Sequence, residues 1–230
     1  MIEVRGVGLH YDRHPVLHDV DLTLTERRIA VIGANGSGKS TFARLLNGLL
    51  LPTTGTVTVD GHDTRRAGRE VRRRVGFVFQ DPDLQIVMPT VAEDVAFGLK
   101  HHGVPRAEIA ARVTAALDRF GLTALAERPA HLLSGGEKQL LAIASVTVLE
   151  PACIVFDEPT TSLDLRNRRR TWAVVAGLPQ QAIVVTHDLE AIAGFDRALL
   201  FDRGRVTFDG SPPAAVQEYL ALLDAAPEGG

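Results

Sequence analysis

Four short apolar runs punctuate the chain: Ile29-Ala30-Val31-Ile32, Phe77-Val78-Phe79, Ile154-Val155-Phe156 and Ile183-Val184-Val185. None alternates with polar residues, and each is rich in β-branched or aromatic side chains, the pattern of parallel strands buried on both faces. Each run ends in polar chemistry. A glycine-rich segment follows the first, Gln80 the second, Asp157-Glu158 the third and Thr186-His187-Asp188 the fourth. Open parallel sheets bind ligands outside the carboxyl ends of their strands, so these four groups are predicted to face one ligand. Val91, Val95 and Leu99, spaced i, i+4, i+8 behind the capping box Thr90-x-x-Glu93, predict a helix with a core-facing stripe. A second capping box, Ser134 to Glu137, predicts a helix over 138–149.

With 230 residues, 45% of them apolar, the chain can bury a substantial core. The net charge of −3 and isoelectric point near 6.2 supply no overall attraction to nucleic acid or anionic lipid. Two local basic stretches stand out, Arg65, Arg66, Arg69, Arg72, Arg73, Arg74 and Arg166, Arg168, Arg169, Arg170, which read as solvated helix faces. The single cysteine, Cys153, lies in an apolar run and reads as a core packer, which suits a reducing compartment. No apolar stretch approaches the eighteen residues of a membrane span and no secretory leader is apparent, so neither export nor membrane crossing is expected. Residues 226–230 read as a loose tail.

Gly33-Ala34-Asn35-Gly36-Ser37-Gly38-Lys39-Ser40, entered from a strand and leading into the helix that Thr41 continues, has the spacing of a phosphate-binding loop. Glycines let successive N–H groups converge on phosphate oxygens, and the helix start adds unpaired donors and a positive dipole end. Lys39 would reach the β- and γ-phosphates. Ser40 would offer its hydroxyl to a magnesium ion (Mg2+) bridging them. Asp157, directly after a buried run, suits the same ion. Glu158 is placed to orient and deprotonate an attacking water. Gln80 suits the metal or that water, and His187 is a donor for the γ-phosphate.

Two glycines at the start of a helix cost about 1 kcal/mol each relative to alanine, which capping alone does not require. Exposed N–H groups at Gly135 and Gly136 suit a second phosphate site. With one cradle per chain, that site would most simply grip a nucleotide held by another chain.

The phosphate loop, Gln80, Leu133-Ser134-Gly135-Gly136-Glu137-Lys138-Gln139, Val155-Phe156-Asp157-Glu158-Pro159, Leu163-Asp164 and His187, in this order, resemble the ATP-binding cassette (ABC) ATPases. The resemblance covers nearly the whole chain. It implies an α/β fold: a RecA-like P-loop core with a small antiparallel β-subdomain over about 1–81 and 150–225, and an inserted α-helical subdomain over about 82–149. It further implies ATP and Mg2+ as cofactors, and a head-to-tail dimer in which each ATP lies between one cradle and the Ser134, Gly135, Gly136, Glu137 segment of the other subunit. Tyr11 would stack on adenine, with Asn35, Gly36, Ser37, Gly38, Lys39, Ser40 and Thr41 holding the phosphates. Ser40, Gln80 and Asp157 would serve the metal, Glu158 and His187 catalysis, and Asp164 the dimer-crossing loop. The helical subdomain would receive membrane partners.

Phe79-Gln80-Asp81-Pro82-Asp83-Leu84-Gln85 and Pro89 through Gly98 look like the energy-coupling factor branch, whose ATPases drive uptake of vitamins and of cobalt or nickel. Leu24 through Ile29 and Arg44 through Leu49 are similar to its biotin-uptake members. Those likenesses imply a peripheral subunit on the cytoplasmic face of the membrane, paired with itself or a related ATPase, beside a transmembrane scaffold and a substrate-binding membrane subunit. Leu140, where the family often has arginine, and Thr161-Ser162 depart from the common pattern at the interface. A soluble ABC protein acting on DNA or ribosomes is the rival. Against it, only about 120 residues separate Ser40 from Glu158, too few for a long coiled-coil insertion. A P-loop phosphotransferase would leave Ser134 to Glu137 without a role.

Overall fold

The computed structural model describes residues 1–12 and 14–225; the tail expected at 226–230 lies outside them. Strands β1 (Ile2–Tyr11), β2 (His14–Leu24) and β3 (Arg28–Gly33) precede helix α1 (Lys39–Leu46), strands β4 (Thr54–Val59) and β5 (His62–Asp63), helix α2 (Gly68–Arg74) and strand β6 (Val75–Val78). Helices α3 (Val91–His101), α4 (Arg106–Arg119) and α5 (Gly135–Thr147) follow, then β7 (Cys153–Asp157), α6 (Leu165–Gly177), β8 (Gln181–Val185), β9 (Arg197–Asp202), β10 (Arg205–Gly210) and α7 (Pro212–Ala225). The chain divides into two compact units, Met1–Val75 with the described residues from Gln181 onward, and Gly76–Gln180.

The first unit holds two sheets. One is antiparallel in the order β2-β1-β4-β5, with Ile2, Val4, Val7, Val20, Leu22, Leu24, Val57 and Val59 buried. In the other, β3 lies between β8 and β9 and runs parallel to both, pairing Val31 with Val185 and with Leu199, while β10 closes antiparallel on β9. Every residue of β3 is buried, as a non-alternating run requires. Ala30, Ile32, Ile192, Ala198, Leu200 and Ala215 form a core over which Tyr219 of α7 packs. Around α2, Arg65, Arg66, Arg69, Arg72 and Arg73 are exposed, and Arg74 donates to Glu70 at 3.3 Å, so this stretch is a solvated face.

The second unit carries the neighbouring strands β6 and β7 with helices α3 to α6. Val91, Val95 and Leu99 of α3 are fully buried, and the Thr90 capping box forms. Cys153 is buried in β7. Phe79 was expected within a strand but lies one residue beyond β6; its N–H leaves the ladder and donates to Gln85 Oε1 at 3.2 Å. The helix expected over 138–149 spans Gly135–Thr147: the Ser134 cap stands directly before the glycines, whose Glu137 neighbour it holds, and the last helical turn closes at Thr147. Among the described residues no helix is long and apolar enough to cross a membrane.

Candidate nucleotide-binding site

The glycine-rich loop leaves β3 at Gly33 and enters α1 at Lys39. Gly33, Gly36 and Gly38 adopt φ values of 140°, 76° and 102°, a backbone that side chains disfavour. Space also selects glycine: a Cβ on Gly33 would overlap the carbonyl of Phe201, and one on Gly38 would sit 2.8 Å from Leu17 Cδ2. No side chain caps α1. Ser37 Oγ is buried without a hydrogen-bond partner. Lys39 is 5% exposed, and its ammonium donates to the carbonyls of Gly33 and Ala34, each at 2.8 Å, which holds the charge at the loop. An unpartnered buried hydroxyl beside a held cation at the head of a helix is what a phosphate group satisfies, so the residues fit a nucleoside triphosphate.

The loop rests on a turn that the sequence reading missed. Gly204, between β9 and β10, donates to the Ser37 carbonyl at 3.0 Å and accepts from His18 N–H at 2.9 Å. Its φ of 76° is the local signal, since Arg203-Gly204 reads as a hairpin turn. Also in the first unit, Tyr11 ends β1 at 49% exposure, paired across to His14, and His187 is exposed just after β8.

The second unit holds the remaining candidates. Asp157 ends β7 at 1% exposure. Glu158 has a φ of 49°, a left-handed conformation that a non-glycine residue holds only under constraint. Its Oε2 accepts the Thr161 hydroxyl at 2.9 Å. Gln80 is exposed past β6. The hydroxyl of Ser40 and the carboxylate of Asp157 are hard oxygen donors, the chemistry that Mg2+ takes.

Ser134 and Gly135 are exposed at the start of α5. The Ser134 backbone N–H and hydroxyl both donate to Glu137 Oε2 at 2.7 Å, and Ser134 Oγ accepts from Glu137 N–H at 3.4 Å. Those two bonds, the backbone one first, lower the Glu137 carboxyl below its ordinary range. Gly136 has a packing reason that the sequence reading did not see, since a Cβ there would overlap the Asn167 side chain. Asp164 caps α6, accepting from Asn167 N–H and from Asn167 Nδ2, both at 2.8 Å. The backbone bond leads in depressing its carboxyl. Asn167 thus stands between Asp164 and Gly136.

Residues 17–161 match the family model described as ABC transporter, well over half of the chain. The chain belongs to the ABC transporter family. It is 58% identical, over 95% of its length and 97% of the relative's, to a putative ABC transporter ATP-binding protein of Deinococcus radiodurans. With a biotin transport ATP-binding protein of Rhizobium etli it shares 50% identity, over 96% of this chain and 98% of that one. With a cobalt import ATP-binding protein of Syntrophus aciditrophicus it shares 44%, over 95% and 81%. Among solved structures it is similar to CbiO1 from Clostridium perfringens, part of the ABC transporter complex CbiONQ, with a TM-score of 0.84 at 31% identity, covering 97% of this chain and 93% of that one. The fold is therefore a RecA-like P-loop ATPase core with helical and antiparallel-sheet subdomains, and the chain is an ATP-binding hydrolase of the ABC type.

Proposed function

We propose that this chain is the ATPase subunit of an energy-coupling factor importer, and that its cargo is biotin. The observation that carries the ATPase role is the cradle, with glycines in conformations that side chains disfavour, a held Lys39 and an unpartnered Ser37 hydroxyl. Tyr11 stacks on adenine; Asn35 through Thr41 hold the phosphates; Ser40, Gln80 and Asp157 serve Mg2+, which when bound neutralises phosphate charge. Glu158 takes the proton of the attacking water, and His187 donates to the phosphate being cut away. The exposed Ser134 and Gly135 meet ATP held by a second copy, and Asp164 lies in the loop that crosses to it. Biotin as cargo rests on 50% identity over nearly full length to the Rhizobium etli biotin transport protein. The cobalt import relative makes a metal ion the alternative cargo. The same reading places the chain on the cytoplasmic face of the membrane, docked to a transmembrane scaffold and a substrate-binding subunit.

The test is to purify the tagged protein from gently solubilised membranes of its host and identify co-purifying proteins and small molecules by mass spectrometry. Recovery of a membrane scaffold and a small membrane subunit carrying biotin supports the proposal. A different vitamin or cobalt changes the cargo and keeps the importer. Soluble partners, ribosomes or DNA alone overturn the importer reading.

A further inference from the structure

Asp94 is 4% exposed on the buried stripe of α3, beside Val91 and Val95. A carboxylate in such a place is costly unless its oxygens are saturated with donors. Three donors reach it. Oδ1 accepts from the N–H groups of Val87 and Met88 at 2.9 and 3.1 Å, and Oδ2 accepts the Ser145 hydroxyl at 2.8 Å. Asp94 therefore ties the segment after Gln80 to α5, the helix opened by Ser134.

Two more side chains make the same connection. Lys138 Nζ donates to both oxygens of Asp83, at 2.7 and 3.0 Å. Gln85 Nε2 donates to the Ala142 carbonyl at 2.9 Å while its Oε1 holds Phe79 N–H. The anchor points on α5 are positions 138, 142 and 145, spaced four and three apart, so they fall on one face. Segment 83–88 is laced along two turns of that helix. Leu84 and Val87 are 72% and 60% exposed, and Ile86 and Met88 are only half-buried, so apolar burial along this segment is modest and the polar ties add to what holds its path.

We propose that Asp94 is a positioning residue that makes the segment after Gln80 and the helix headed by Ser134 move as one body. The proposal rests on the roles given above to Gln80 and Ser134. A laced segment transmits a displacement at one end to the other, and a displacement of about 1 Å at reacting groups costs up to roughly a hundredfold in rate. Asp94 is the tie most sensitive to change, because its loss leaves two backbone N–H groups and a hydroxyl without acceptors inside the unit.

The experiment compares Asp94→Ala, Asp94→Asn and Ser145→Ala in the full-length protein, reading ATP affinity, kcat and amide hydrogen exchange. Asp94→Ala is expected to lower kcat roughly tenfold or more while ATP affinity, set by the cradle in the other unit, stays within about twofold. Exchange should quicken together at Val87 and Met88 and at Glu137 and Lys138 on the first turn of α5. Asp94→Asn keeps an acceptor for the loop and should recover most of kcat. Quickening confined to 87–88, or affinity and kcat falling in parallel with stability, overturns the proposal. Should Asp94→Ala not fold, Ser145→Ala cuts the tie to α5 alone; unchanged kcat and first-turn exchange there also overturn it. Failure of the underlying reading looks different: wild type would then not hydrolyse ATP, or Glu158→Gln would hydrolyse it normally.

Discussion

Gly136 lies so close to the Asn167 side chain that no other residue fits between α5 and α6 without displacing it. Asn167 cannot yield freely, because both its backbone N–H and its carboxamide are held by Asp164. Gly136→Ala should therefore destabilise the protein by about 1–3 kcal/mol despite alanine's better helix propensity. Asn167→Ala opens the space, so the double variant should recover much of that loss beyond additivity. A denaturant double-mutant cycle checks this; strict additivity would show that the contact is not the cause.

Gly135 is the opposite case. An added Cβ meets only Leu163 Cδ2, at 4.0 Å, so Gly135→Ala should be neutral or stabilise the fold by up to about 1 kcal/mol. If a nucleotide on a second copy approaches the Gly135 backbone closely, the added methyl group should lower turnover with no loss of stability. Thermal unfolding and steady-state ATPase on one preparation separate the two effects. Turnover equal to wild type would mean that no ligand approaches the Gly135 Cα closely enough to require glycine.

Glu158→Gln should keep ATP binding, stop turnover and accumulate a dimer with ATP, since it removes the base and a repelling charge and leaves the cradle untouched. Size-exclusion chromatography with light scattering, run with and without ATP, reads the dimer. Hydrolysis near the wild-type rate would remove Glu158 from its role. Equimolar mixing of Ser134→Arg with Lys39→Ala should restore activity that neither has alone, because each mixed dimer retains one intact composite site.

Arg197 clamps three backbone segments. Its Nε and Nη2 donate to the two oxygens of Asp209 at 2.6 Å each, and Nη1 donates to Glu26 and to the Thr23 carbonyl. The paired Asp209 carboxylate is the main reason that its guanidinium holds its proton more tightly than usual. Arg197→Ala should cost about 1–2 kcal/mol, because partly exposed Asp209 and Glu26 lose their shared cation but can be solvated in its place. Arg197→Lys should recover less than half, since an ammonium cannot reproduce the two-pronged contact. Urea midpoints at constant m-value give the comparison.

The Glu137 carboxyl sits below its ordinary range, held by hydrogen bonds from the Ser134 backbone and hydroxyl. A depressed folded value means that its contribution to stability is complete above the unfolded glutamate value, about 4.3, and disappears as pH falls through the lower folded value. The stability gap between wild type and Glu137→Gln should be constant from about pH 7 to 5.5 and shrink below about pH 4.5. A gap that widens on acidification would mean that the capping box does not depend on the ionised form.

Much of this protein was legible along the chain because its decisive signals are local. Non-alternating β-branched runs mark β3, β7 and β8, and backbone sterics confine the 33–40 segment to glycine at the turns. The capping boxes at Thr90 and Ser134 need only a hydroxyl and a carboxylate three residues apart, and both form. The family followed from several such local patterns in order. Asp94 was not singled out along the chain, because nothing local shows the donors that saturate it.

Contacts between distant residues had to come from the folded chain. Gly204 under the Ser37 carbonyl, Asn167 against Gly136, and the ties from Asp83, Gln85 and Asp94 to α5 join residues far apart in sequence. Phe79 left its strand for the same reason, drawn by a carboxamide six residues ahead. Sequence by itself determined which backbone each segment prefers and which chemistry it carries, since both depend on neighbours within a few residues. Tertiary structure alone decided which of those groups brace one another, because a hydrogen bond or a steric overlap exists only once packing has set the distance.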